Sequence, residues 1–272
     1  MAVLEVCAAS RESLHAAIEA GAPRVELCAD LASGGITPPE DWIREAVAAE
    51  GLRVHVLIRS RAGDFVYSEA EIALMEEQIR MAKRAGADGV VIGALTADGE
   101  IDLSACKRWM QAAEGMSVTF HRAFDRCRNP FRALEPIIEL GCDRLLTSGQ
   151  ADSAEAGATL IRQLREQAAG RIILLPGAGV NPENAATILR LTGASEIHSS
   201  SRPFTSIKTP SSSNPFTSIK TSPSSRPFTS IKTSPSFDSS NSLERSSSSP
   251  LSVALHSDPA TIRQIMNRIS NL

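Results

Sequence analysis

A chain of 272 residues holds one large domain or two small ones, and 42% hydrophobic with 22% charged residues is enough apolar mass for a sizeable core. A formal net charge of -3 excludes the basic footprint of a nucleic-acid binder or of a protein held on an anionic membrane, which leaves small molecules or ions as partners. No run of about eighteen apolar residues is present, and residues 1–21 lack a basic segment followed by an apolar one, so neither membrane insertion nor secretion is expected. The cysteines at 7, 28, 106, 127 and 142 are odd in number and form no CxxC pair, which predicts free thiols in a cytoplasmic chain.

From the first residues onward, short β-branched runs alternate with amphipathic stretches of helical length, the pattern of parallel βα units. Strands are predicted at 3–7, 24–28, 53–58, 88–93, 117–121, 143–147, 171–176 and 195–198. Gly21, Gly51, Gly86, Gly115, Gly141, Gly170 and Gly193 precede seven of them, each where a helix must stop. Helix starts are marked by Ser68 with Glu71, and by Asn129-Pro130, Asn181-Pro182 and Asp258-Pro259, which pair a capping side chain with proline at the first helical position. Strand one is followed by Cys7-Ala8-Ala9-Ser10 where a dinucleotide-binding sheet would carry GxGxxG. Eight evenly spaced units therefore predict a (β/α)8 TIM-type barrel over residues 1–201.

The pattern breaks after Ser201. Residues 202–250 are rich in Ser, Pro and Thr and repeat PFTSIKT at 203–209, 215–221 and 227–233. Such a composition buries too little apolar surface to offset chain entropy, and disorder is expected for this low-complexity insertion. Residues 251–272 regain helical spacing, with Ile262, Ile265, Met266 and Ile269 on one stripe, as the final barrel helix requires.

In a barrel the polar groups at the C-terminal strand ends face the working site. Glu5 and Cys7 end strand one, and Glu26 and Cys28 end strand two. Strand three runs into Arg59, Arg61 and Asp64, strand five ends at His121 and Arg122 with Asp125 beyond, strand six gives Ser148, strand seven Gly177 and Gly179, and strand eight His198. Neighbouring strands lie about 4.8 Å apart, so Cys7 and Cys28 are expected to approach each other at one level of the barrel as a soft-metal pair suited to Cu(I); the competing reading is two buried cysteines that fill space. Gly177-Ala178-Gly179-Val180 before Asn181-Pro182 is either a phosphate grip at a helix N-terminus or a tight βα turn. Arg59, Arg61 and Arg122 add positive charge for an anionic ligand. For proton transfer, His121 with Asp125, and Glu5 or Glu26, are the candidate acid–base groups. The barrel lysines Lys83 and Lys107 fall on helices, which excludes Schiff-base chemistry.

Taken together, LEVCAAS, VELCA, GGITP, IRSRAGDFVYS, TFHRAFD, LLTSGQ, GAGV and EIHSS occur in an order that resembles the CutC copper-homeostasis family over residues 2 to about 201. The resemblance implies a cytoplasmic β/α barrel, Cu(I) bound through Cys7 and Cys28, and a homo-oligomer. Three functions stand from these residues: a Cu(I)-binding homeostasis protein, an enzyme on a small phosphorylated or carboxylated metabolite with Glu26, His121 and Asp125 as its catalytic groups, and an interaction protein working through the repeat arm. The segment after Ser201 departs from the family pattern.

Overall fold

The structure is a computed structural model that describes residues 2–202, 256–270 and 272. The repeat arm, and with it the disorder and the partner binding expected of it, lies outside the described residues. Eight strands, β1 (Val3–Ala8), β2 (Arg24–Leu27), β3 (Arg53–Leu57), β4 (Gly89–Ile92), β5 (Ser117–Phe120), β6 (Arg144–Thr147), β7 (Ile173–Pro176) and β8 (Glu196–Ser199), are each followed by a helix. The helices are α1 (Arg11–Ala20), α2 (Glu40–Val47), α3 (Glu69–Arg84), α4 (Leu103–Ala112), α5 (Pro130–Glu139), α6 (Ala158–Ala168), α7 (Ala185–Thr192) and α8 (Pro259–Ile269).

The strands pair in parallel in the order β7-β6-β5-β4-β3-β2-β1-β8, and β7 packs beside β8 to complete the ring. This is the (β/α)8 barrel the alternation predicts, with every strand within two residues of its expected bounds. The seven expected stop glycines all have positive φ, and Gly21 shows why: at φ 71° its N–H caps the Ala17 and Ile18 carbonyls of α1, in a backbone region that a Cβ disfavours. Ser68 and Glu71 form the reciprocal capping box, and Asn129 and Asp258 cap α5 and α8 as expected. Asn181 does something else. Its side chain accepts from the amides of Glu183 and Asn184 in a turn, and α7 begins only at Ala185.

Successive strand residues point to opposite faces, and the two faces of this barrel differ in chemistry. Outward residues such as Leu4, Val6, Val25, Val54, Val56, Val90, Ile92, Phe120 and Leu145 are fully buried against the helices and make the main core. The alternate positions, Glu5, Cys7, Arg24, Glu26, His55, Arg144, Glu196 and His198, are largely buried and polar. A barrel interior is usually filled with branched apolar side chains, so this polar shaft is where function has to be sought. No helix among the described residues is long and apolar enough to cross a membrane.

Candidate functional site at the barrel mouth

Strand stagger sets the heights of the inward groups. Glu5 is in register with Arg24 and with His198, whereas Cys7 is in register with Glu26 and not with Cys28. The two Glu-x-Cys segments are therefore offset by two residues, about 6.6 Å along the strand. Glu5 falls into the lower layer, Cys7 and Glu26 share the next, and Cys28 sits higher still. The register thus does not set the two cysteines at one level, yet their sulfurs lie 3.8 Å apart within a small buried apolar group that includes Leu57 and Val91.

The lower layer is a closed ion network. Arg24 Nε donates to Glu5 at 2.6 Å, its Nη2 pairs with Glu196, and Arg144 Nε donates to the same Glu196 at 2.8 Å. Burial alone would raise the Glu5 carboxyl, but the bond from His198 and the charge of Arg24 outweigh it and hold Glu5 far below the usual carboxylate range. His55 stands 3.7 Å from Glu5, and burial pushes it down to about 4, so it remains neutral there.

Above that network, Cys7, Glu26 and His198 each present a ligand atom within 4.8 Å of the others. His198 Nδ1 is 2.9 Å from Glu5 and its Nε2 is 3.5 Å from Glu26. Burial opposes its charge, yet bonds to Cys7 and Glu5 and the nearby carboxylates win and raise it well above an ordinary histidine. Burial pushes Glu26 up to about 7, against the opposing charge of His198. Hydrogen bonding to Cys28, then burial, raises the Cys7 thiol well above its ordinary value.

These groups open onto a cavity of about 390 Å³ whose walls also include Arg59, Phe65, His121, Arg122, Gly179 and Arg202. Backbone strain marks the same end of the barrel: Asp30, Gln150, Ala178 and Ser201, all on segments that follow strands, are non-glycine residues held at positive φ. The structure brings Cys7, Glu26, Cys28, Arg59, His121, Arg122, Gly179 and His198 to this cavity and leaves the other candidates out of its walls. Glu5 lies beneath it. Arg61 turns away to Glu71 at 2.5 Å and to Asp64 at 2.9 Å, stacking over Tyr67, which keeps both Arg61 and Asp64 off the mouth. Asp125 does not pair with His121; it accepts from Arg122, from Thr147 and from the Ser148 and Gln150 amides, so it braces the loop after β6. Ser148 is consumed in the same brace, its hydroxyl lying 2.6 Å from the Ala151 carbonyl and 3.0 Å from Asp125. Gly177 is bound to Thr147 through its amide and works as a packing site, since a Cβ there would come within 2.6 Å of Leu146.

Residues 2–203 match the model of the CutC family. The chain belongs to the CutC family. It is 50% identical over 207 residues to the family protein CutC of Pasteurella multocida (strain Pm70), a match covering 76% of this chain and 85% of that relative. With CutC of Bacteroides thetaiotaomicron it shares 55% over 199 residues, 73% of this chain and 80% of the relative. Among solved structures it resembles a CutC from Streptococcus agalactiae, described as a copper homeostasis protein, with a TM-score of 0.70 and 34% identity over 74% of this chain and 99% of the other. For this CutC chain the ion network of Arg24, Arg144 and Glu196 is the part that strand-end reasoning missed. The signal lies in the period-two placement of Arg24 below Glu26, and of Glu196 below His198.

Proposed function

We propose that this CutC-family protein binds Cu(I) in the cytoplasm, as copper cargo held by the thiolates of Cys7 and Cys28. The observation that carries the reading is the 3.8 Å separation of the two sulfurs in a buried apolar setting at the barrel mouth. Two thiolates on one soft ion stand up to about 4.6 Å apart at metal–sulfur bonds of roughly 2.3 Å, so a small outward movement of one side chain suffices. Sulfur outranks the other donors nearby for Cu(I). His198 has both ring nitrogens turned toward carboxylates, and Glu26 offers only hard oxygen, so neither competes with the thiol pair. The reducing cytoplasm keeps such a pair available as thiols.

The test is anaerobic Cu(I) titration against a competing chelator, with circular dichroism confirming the fold. The expected result is one tightly held ion per chain, lost in the Cys7→Ser, Cys28→Ser double variant and kept in Glu26→Gln. Unchanged stoichiometry in the double variant defeats the assignment. Loss in Glu26→Gln with retention in the cysteine variant would move the ion to a harder site.

A further inference from the structure

The copper reading leaves most of the mouth unused. A cavity of about 390 Å³ has the size of a small-molecule pocket and far exceeds one ion. Its walls carry an electrostatic imbalance that becomes plain when the two most buried arginines are set side by side. Arg24, 2% exposed, is paired with two carboxylates, Glu5 and Glu196. Arg59, 5% exposed, has no carboxylate partner among the described residues. Its Nη1 donates to the Ser33 and Gly35 carbonyls at 3.3 and 2.9 Å, its Nη2 donates to the Gly63 carbonyl at 2.8 Å, and its Nε has no partner. A sealed guanidinium without a countercharge is costly, and an anion from outside the protein removes that cost.

His121 adds direction. The Ala123 amide donates to its Nδ1 at 3.1 Å, so Nδ1 is the acceptor and the ring proton resides on Nε2. That Nε2–H is buried and without a partner. Burial, reinforced by the charge of Arg59, keeps the ring neutral, with its pKa pushed down to about 3. Arg59 and His121 pack against the same ring, Phe65, at 4.9 and 5.0 Å. Among the described cavity walls the unpartnered buried side-chain atoms, Arg59 Nε, His121 Nε2 and Arg202 Nε, are all donors. Leu31, Leu57, Phe65 and Leu146 supply the apolar remainder.

We propose that the mouth cavity binds a small organic carboxylate, its apolar body against Leu31, Leu57, Phe65 and Leu146 and its carboxylate beside Arg59 and His121. Arg122 is already answered by Asp125, whereas Arg59 Nε and His121 Nε2 are two N–H donors without partners, a number that matches the two oxygens of a carboxylate, and the apolar walls favour an organic body over inorganic phosphate. This ligand is independent of copper, since none of the groups that hold it is a thiol.

The test is thermal unfolding of the full chain in benzoate, in its uncharged counterpart benzamide and in inorganic phosphate, at constant ionic strength. Benzoate is expected to raise Tm in proportion to the logarithm of its concentration above its Kd, by about 3–6 °C for each tenfold increase, with benzamide and phosphate inactive. Arg59→Gln should lose the response, Arg59→Lys should regain part of it, and Cys7→Ser, Cys28→Ser should keep all of it, which separates this ligand from the metal. If Arg59→Gln does not fold, His121→Leu takes its place and should lose most of the shift. Equal shifts from benzoate and benzamide, a shift from phosphate alone, no shift from benzoate, or a full benzoate response in Arg59→Gln or His121→Leu would each overturn the proposal.

Discussion

The two ends of the polar shaft put the same residue types to contrasting uses. At the lower end Glu5, Arg24, Arg144 and Glu196 answer one another charge for charge, and the unpartnered buried atoms beside them, His55 Nδ1 and Thr119 Oγ1, carry no charge. At the mouth Arg59 lacks a countercharge, His121 holds an unused N–H, two thiols face each other, and Glu26 is pushed toward neutrality. Burial is nearly equal in both places, so accessibility alone does not separate a structural layer from a binding layer. Completeness of charge pairing does. A closed network stabilises one conformation, while an open set of donors and nucleophiles keeps its interaction capacity for something that arrives.

Substitution at each end gives the largest expected contrast. Arg24→Ala takes the arginine from buried Glu5 and one of two arginines from Glu196, and should cost about 3–5 kcal/mol in urea unfolding. Arg59→Gln gives up only bonds to carbonyls and should cost clearly less; equal losses would erase the distinction between the two layers. A smaller effect is expected at Gly93, where an added Cβ would sit 2.5 Å from His121 Nδ1 and 3.2 Å from the Ala123 side chain. Gly93→Ala should displace the ring and destabilise by about 1–3 kcal/mol, with the benzoate response falling alongside.

The smallest contrast is in pH dependence. Glu26 has a folded pKa raised to about 7, so its contribution to stability is complete below 4.5 and is lost as pH rises toward 7. Glu5 and Glu196 are lowered, the first by bonds and charges that overcome its burial and the second by Arg144 and Arg24 in the same way, so their contribution is present above 4.5 and is lost on acidification. Urea midpoints measured across this range should therefore lose their Glu26-dependent decline in Glu26→Gln while keeping the acid-side loss. A decline that persists in Glu26→Gln would place that titration elsewhere.

Much of the fold is legible in the amino-acid order alone. Strand count, helix stops and most caps are written in residues such as Gly21, Ser68, Asn129 and Asp258, whose local conformational preferences act over a few neighbours. The meeting of Cys7 and Cys28 is also legible, since both end adjacent strands. Height within the barrel is not. The sequence presents Glu5-Val6-Cys7 and Glu26-Leu27-Cys28 as equivalents, and only the stagger between β1 and β2 sends Glu5 to the closed layer and Glu26 to the open one. Loop direction is equally hidden. Arg61 and Asp125 stand close in sequence to mouth residues, yet each is drawn off by a partner whose position depends on the folded loop, Glu71 for one and Ser148 for the other.

The packing of α8 bears on how such a chain is made. Ser257 donates its amide to Ser13 and Arg263 reaches the Glu19 carbonyl, each across 244 positions of sequence, while β1 pairs with β8 at the far end of the same ring. Contacts this distant form only after 244 further residues have been added to the growing chain. The first strand and helix must therefore wait, their apolar faces exposed, until the last helix emerges to cover them, and that interval is when the nascent chain is most open to aggregation and to chaperones.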